Sequence, residues 1–117
     1  DISVASHCEI LKSAVAKLAP YLNDFITDSF NASIISNVTA KAYNTKADAI
    51  DLLSKQLISP VKYKHSVAAN AENIDIFIEF GNGSVLKGLN RKIVKEVPTV
   101  NVSDMKTLER TLEALND

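Results

Sequence analysis

Ile74-Asp75-Ile76-Phe77-Ile78-Glu79-Phe80 is the segment that most narrows what this chain can become. Its β-branched and aromatic residues specify a strand, and the run is too apolar for an edge strand with one wet face. It belongs in the middle of a covered sheet. Gly81-Asn82-Gly83 then turns the chain, and Val85, Leu86, Leu89 and Ile93 follow at helical spacing as a buried stripe. A buried strand feeding a helix through a tight turn is the repeating step of parallel α/β sheets.

The rest of the chain keeps that alternation. Ile2-Ser3-Val4-Ala5 reads as a short buried strand, and Leu11, Val15, Leu18, Leu22, Phe25 and Ile26 mark a helix that Pro20 should kink or split. Ala32 to Val38 is rich in β-branched residues and reads as a second strand. Thr45 with Asp48 resembles a capping box ahead of a helix face of Ala47, Ile50, Leu53 and Leu57. Pro60 closes that helix, and a shorter one follows from Val61 to about Ala69. Thr99-Val100-Asn101-Val102 is a last strand. Ser103 or Asp104 caps a final helix whose Met105, Leu108, Leu112 and Leu115 face inward. The expected fold is α/β, with a largely parallel sheet covered by helices on both sides. Residues 1–117 carry no linker or repeat and read as one continuous unit. The start at Asp1, without a Met and straight into a strand, reads as a cut through a longer polypeptide.

Composition removes several function classes. With 46% hydrophobic and 23% charged residues, the chain has the means to build a core, which argues against disorder. Its 13 basic and 14 acidic residues leave a net charge of −1, which speaks against a dedicated nucleic-acid binder. One cysteine allows no internal disulfide, and one Cys with two His makes no Cys/His zinc site without several carboxylates. No apolar run reaches the roughly 20 residues of a membrane span. The expected setting is soluble and reducing, the cytoplasm, with neither nucleic acid nor membrane as a partner.

The turn Gly81-Asn82-Gly83-Ser84-Val85-Leu86-Lys87-Gly88 fails both phosphate-binding patterns. A dinucleotide fingerprint would need its third glycine two positions earlier, and a P-loop would need Gly-Lys-Ser/Thr where Lys87 precedes Gly88. A structural turn is the better reading. His7 and Cys8 are neighbours, but catalytic Cys/His pairs are assembled from distant segments, so Cys8 reads as a small buried apolar residue. His7 follows a strand end and precedes a helix, where open α/β sheets place their active sites, and is the candidate acid–base. His65, among lysines on a short helix, reads as solvated. Lys87, Arg91 and Lys95 form a basic stripe, with Lys92 beside it, on one helix: a solvated face or a docking surface for an acidic partner. The Asn-x-Ser/Thr triplets at Asn31, Asn37, Asn82 and Asn101 carry no weight without a secretory signal.

Four segments, in order, resemble the malonyl-CoA:acyl carrier protein transacylase family. Val4-Ala5-Ser6-His7-Cys8-Glu9-Ile10-Leu11-Lys12 is similar to its strand and histidine motif. Ile35-Ser36-Asn37-Val38-Thr39-Ala40 is similar to S-N-V-T-A, and Gln56-Leu57-Ile58-Ser59-Pro60-Val61-Lys62-Tyr63 to Q-L-x-S-P-V-x-W. Phe77-Ile78-Glu79-Phe80-Gly81-Asn82-Gly83-Ser84-Val85-Leu86-Lys87-Gly88-Leu89 resembles F-x-E-x-G-P-G-x-V-L-x-G-L. Asn82 replaces a proline, Tyr63 a tryptophan and Ser13 a frequent proline; these are turn and packing positions. The family's serine nucleophile, in G-H-S-x-G, and its carboxylate-binding arginine have no counterpart here. The chain has three glycines and no G-x-S-x-G.

The resemblance implies the C-terminal part of an acyltransferase domain, taken from a doubly wound, α/β-hydrolase-like large subdomain that is incomplete in this chain. It implies ping-pong transfer of malonyl from malonyl-CoA to the phosphopantetheine thiol of acyl carrier protein, in fatty-acid biosynthesis. His7 would be the general base and acid, with its imidazole oriented by the backbone carbonyl of Gln56. Coenzyme A and phosphopantetheine are substrates, so no cofactor and no metal is expected. Lys87, Arg91 and Lys95 become a carrier-protein contact. The upstream part of the enzyme is needed for the active site, and this chain alone is expected to be inactive and poorly soluble.

Other readings stay open on the sequence. Acyltransferase domains of polyketide synthases, with a different acyl-CoA, share the same segments. A non-enzymatic α/β binding module would show clustered acids at strand ends, which are not seen. A thiol enzyme using Cys8 would need a thiolate partner the sequence does not offer.

Overall fold

A computed structural model describes residues 5–116, which fall into two compact units, one ending at Ser66 and the other beginning at Val67. The expected strand over Ile2-Ser3-Val4-Ala5 lies, but for Ala5, outside the described residues.

In the first unit a 3-10 turn, Glu9–Leu11, leads into helix α1, Lys12–Phe25. Pro20 sits inside α1 without splitting it. A proline removes one backbone donor, and the stripe of Val15, Leu18 and Leu22 on either side of it stays half-buried, with α1 packed on α2. Phe25, expected to face inward, is 82% exposed at the end of the helix.

The strand expected over Ala32 to Val38 shrinks to β1, Ile34–Ile35, which pairs antiparallel with β2, Ala42–Tyr43. The side chain of Ser36 is what stops it. Its hydroxyl accepts from the N–H of Val38 (3.1 Å) and of Thr39 (3.4 Å), bending the backbone before a longer strand can form. Ala40 completes the reversal at φ 60°, and Tyr43 buries its ring edge-on against Phe30, centroids 6.5 Å apart.

Helix α2, Lys46–Gln56, begins on the capping box the sequence shows: the Thr45 hydroxyl accepts from the Asp48 N–H at 3.1 Å. Its buried residues are Ala49 and Ser54, with Ile50, Leu53 and Leu57 of the expected stripe half-buried on the face between them; of that stripe only Ala47 is exposed. Helix α3, Tyr63–Asn70, follows Pro60 and buries Val67.

In the second unit β3, Phe77–Phe80, lies parallel to β4, Thr99–Val102, in the register Phe77 to Thr99 through Phe80 to Val102. Helix α4, Val85–Ile93, connects them, and α4 and α5, Met105–Asn116, both pack on β4. This is a β-α-β-α unit of the expected α/β kind. Among the described residues, however, the sheets are two separate pairs, one antiparallel and one parallel, and Phe80 at the end of β3 is 74% exposed.

The expected inward stripes of α4 and α5 are open apart from Ile93 and Leu108, which are half-buried. Val85 is 72% and Met105 69% exposed, and Leu86, Leu89, Leu112 and Leu115 are exposed too. What these helices bury instead is polar, Asn90 on α4 and Thr111 on α5. Periodicity locates an apolar face; it does not guarantee that the same chain supplies the surface covering it. Among the described residues no helix is long and apolar enough to cross a membrane.

Candidate active-site histidine and cationic cavities

His7 stands just before the 3-10 turn with its backbone in the left-handed region, φ 56°. Histidine is among the few side chains enriched there, at a cost of about 1–2 kcal/mol. The surrounding hydrogen bonds offset that cost. Helix α2 ends with carbonyls that have no partner inside the helix, and neighbouring donors take them in turn. Ile58 N–H donates to Lys55 O at 3.1 Å, and Cys8 N–H donates to Leu57 O at 3.1 Å. Between them, His7 Nδ1 lies 2.8 Å from Gln56 O. A carbonyl oxygen can only accept, so Nδ1 of the half-buried ring carries the proton, and the tautomer this bond selects has its lone pair on Nε2.

The structure therefore brings His7 and Gln56 together across 49 positions of sequence. A further residue, to which the sequence assigns no role at the site, joins them: the Asn37 side chain donates to Gln56 Oε1 at 3.4 Å. The motif around Asn37 stands out in the sequence, but nothing there says which residue its amide would meet. Cys8 is half-buried rather than fully buried, and His65 is exposed on α3.

The predicted basic stripe lies in the second unit. Lys87, Arg91 and Lys95, all exposed, line one side of an open cavity of about 270 Å³ completed by Val94, Pro98 and Thr99. A smaller cavity of about 150 Å³ shares Lys87 and adds Arg110, Asn101, Thr107 and Thr111. Neither cavity has a carboxylate among its lining residues.

Lys87 is held by its backbone. Glu79, on β3, reaches over the turn so that its two carboxylate oxygens accept from the N–H groups of Leu86 (3.0 Å) and Lys87 (2.9 Å). These are orphan donors at the start of α4, and a carboxylate is favoured there by the helix dipole as well. Asn101 on β4 steadies the same turn, donating to Glu79 O (3.2 Å) and Gly81 O (3.1 Å). The turn is thus occupied by protein groups and has a structural role. Among the described residues no group of three His, Cys, Asp or Glu side chains could hold a metal ion.

No protein-family profile matches the chain. It aligns over 118 residues with the malonyl CoA-acyl carrier protein transacylase of Bacillus subtilis (strain 168), 36% identical, across 100% of this chain and 37% of that protein. The crystal structure of the malonyl-CoA:acyl carrier protein transacylase from Helicobacter pylori superposes with a TM-score of 0.93 at 44% identity, again across 100% of this chain and 37% of that one. Along its whole length, this chain is homologous to part of a malonyl-CoA:acyl carrier protein transacylase. A malonyl-transacylase solved in complex with its type II polyketide acyl-carrier protein is similar too, with a TM-score of 0.89 at 31% identity over 97% of this chain. The chain spans 37% of the length of the Bacillus subtilis relative.

Proposed function

We propose that this chain is the histidine-bearing part of an acyltransferase that moves malonyl from malonyl-CoA to the phosphopantetheine thiol of an acyl carrier protein, serving fatty-acid or polyketide synthesis in the cytoplasm. One observation carries the reading: a histidine whose Nδ1 is committed to the Gln56 carbonyl at 2.8 Å, so that Nε2 is the free base.

In this reading a serine from outside the chain attacks the malonyl thioester carbonyl as Nε2 takes its proton. The C–S bond breaks, and coenzyme A leaves as its sulfur receives that proton from Nε2–H. The carrier thiol then gives its proton to Nε2, attacks the malonyl ester, and the serine oxygen recovers the proton as it departs. Nδ1–H stays on Gln56 O throughout, which keeps the ring aligned and stabilises the transient imidazolium. Backbone N–H groups near the serine would hold the oxyanion. The reaction needs no cofactor or metal.

The same reading gives the fold its fuller form. The exposed apolar faces of α4 and α5 would be covered by the remaining strands and helices of a doubly wound, largely parallel sheet. Lys87, Arg91 and Lys95 would meet the acidic carrier protein.

Transfer from malonyl-CoA to carrier protein, followed by intact mass, tests this. This chain alone should be silent, and the chain joined to the further segments its relatives carry should be active. Transfer by this chain alone would place a nucleophile within it and overturn the assignment; silence of the joined protein would overturn the function.

A further inference from the structure

The turn at Ser36-Asn37-Val38-Thr39 has no part in the reaction just outlined, yet it touches the residue that orients His7. We propose that Asn37 is a positioning residue for His7, acting through the side chain of Gln56. The proposal takes from the acyltransferase reading only the use made of His7; the geometry stands without it.

Gln56 is the last residue of α2, and helix ends fray. A terminal carbonyl directs an imidazole only as well as its own peptide plane is fixed. Asn37 supplies that fixing from a rigid base. Ser36 is 4% exposed and its hydroxyl accepts two backbone N–H groups. Ser36 N–H donates to Lys41 O at 3.0 Å, and Ala40 N–H to Ser36 O at 2.8 Å. The Asn37 carbonyl takes the Lys62 N–H at 2.8 Å, tying down the chain beyond α2. From that base the Asn37 amide holds Gln56 Oε1 at 3.4 Å, so both the side chain and the carbonyl of Gln56 are engaged. A neutral imidazole has two tautomers of similar energy, and a hydrogen bond on one nitrogen selects between them. Loosening Gln56 therefore weakens the selection.

The ring 15N signals of His7 read this directly, in the full chain carrying His65→Gln so that a single imidazole remains, at about pH 8.5 where an ordinary imidazole is neutral. With Asn37 present, the Nδ1-protonated form should dominate. Asn37→Ala should lower its ratio to the other tautomer about two- to tenfold, the span of one net hydrogen bond. Gln56→Ala keeps the carbonyl but loses Oε1, so it should give the same shift, and the double variant no more than either alone. An unchanged ratio in folded Asn37→Ala, or fully additive shifts, would overturn the proposal. Should Asn37→Ala fail to fold by circular dichroism, Gln56→Ala alone decides, with an unchanged ratio against the proposal. In the transfer-competent joined protein, kcat should fall by a similar factor while KM for malonyl-CoA holds. A tautomer shift in a protein that transfers no malonyl would defeat the acyltransferase reading and leave this one standing.

Discussion

His7 Nδ1 sits 2.8 Å from the carbonyl oxygen of Gln56, the last residue of α2, so the ring is aimed by a helix end rather than by a carboxylate. Structural and chemical roles can be separated at this position. In His7→Asn the side-chain amide can still donate to Gln56 O, and asparagine tolerates the left-handed backbone His7 adopts at φ 56°. In the joined protein of the proposed function, that variant should keep the stability of the parent while losing malonyl transfer about 10²- to 10⁴-fold, the usual range for removing a general base. His7→Ala should lose transfer equally and stability as well. Denaturation midpoints and transfer rates of the two variants make the comparison; an active His7→Asn would remove the base from Nε2.

The cap on α4 can be tested by stability alone. Because both Glu79 oxygens accept helix N–H groups, at 3.0 and 2.9 Å, Glu79→Ala leaves two donors without their partner. Losing a side-chain cap of this kind costs about 0.5–2 kcal/mol. Glu79→Gln retains one acceptor and should fall between the two. Equal stability of Glu79→Ala and the parent in chemical denaturation would mean that water serves those N–H groups equally well.

How much of this could be read beforehand differs by residue. The turn into α4 and the Thr45 cap rest on local chemistry and lie where the sequence puts them, whereas β3 keeps only Phe77–Phe80 of the seven residues expected and pairs with β4 alone among the described residues. The shortening of β1 escaped because β-branched content says nothing of the Ser36 hydroxyl, which finds backbone donors two and three residues on. The second strand of that pair, Ala42–Tyr43, has too little pattern to announce itself. The open stripes on α4 and α5 escaped for a different reason: a sequence shows that a face is apolar but not where its cover comes from. At the site, Gln56 was reachable only through the family motif, since a backbone carbonyl leaves no mark in residue identity. Glu79 and Asn101 looked like ordinary strand residues; their partners are backbone groups brought near by the fold.

The glycines of the turn divide by backbone conformation, not by room. A Cβ at Gly81, Gly83 or Gly88 would meet nothing within 4 Å, but Gly83 sits at φ +97° whereas Gly88 lies within α4. Gly83→Ala should destabilise by about 1 kcal/mol or more, because the native backbone strains any side chain. Gly88→Ala should stabilise by about 0.5–1 kcal/mol through helix propensity. Opposite signs in thermal melts are the expected result; a loss at Gly88 would mean that a surface approaches α4 closely there.

Asp104 makes stability depend on pH in the acid range. It caps α5, accepting from Thr107 N–H at 2.8 Å and from the Thr107 hydroxyl at 2.9 Å. Those bonds, the backbone one foremost, favour the carboxylate and hold its pKa below the ordinary aspartate value, with Arg110 adding a smaller pull. A carboxyl whose folded-state pKa is depressed contributes stability above its unfolded value, near 3.9, and loses it as pH falls through the folded value. Asp104→Asn should therefore be less stable than the parent at pH 6, and the gap should narrow below about pH 4. A gap that does not change with pH would assign the effect to cap geometry rather than charge.

The basic stripe gives the sharpest test of partner recognition. Lys87, Arg91 and Lys95 line one cavity without a carboxylate among its lining residues, so an acidic surface approaching that face of α4 would meet three cationic side chains. On the proposed function, malonyl-CoA would need a pocket near the nucleophile and the carrier protein a docking face, and in the joined protein the two substrates can be varied separately. Reversing Lys87 and Arg91 to Glu should raise KM for carrier protein several-fold, more strongly at low salt because exposed charges are screened within about 10 Å at 0.1 M. KM for malonyl-CoA should not move. Equal effects on both substrates, or an effect insensitive to salt, would mean that the reversal has disturbed α4 itself and that the carrier protein docks elsewhere.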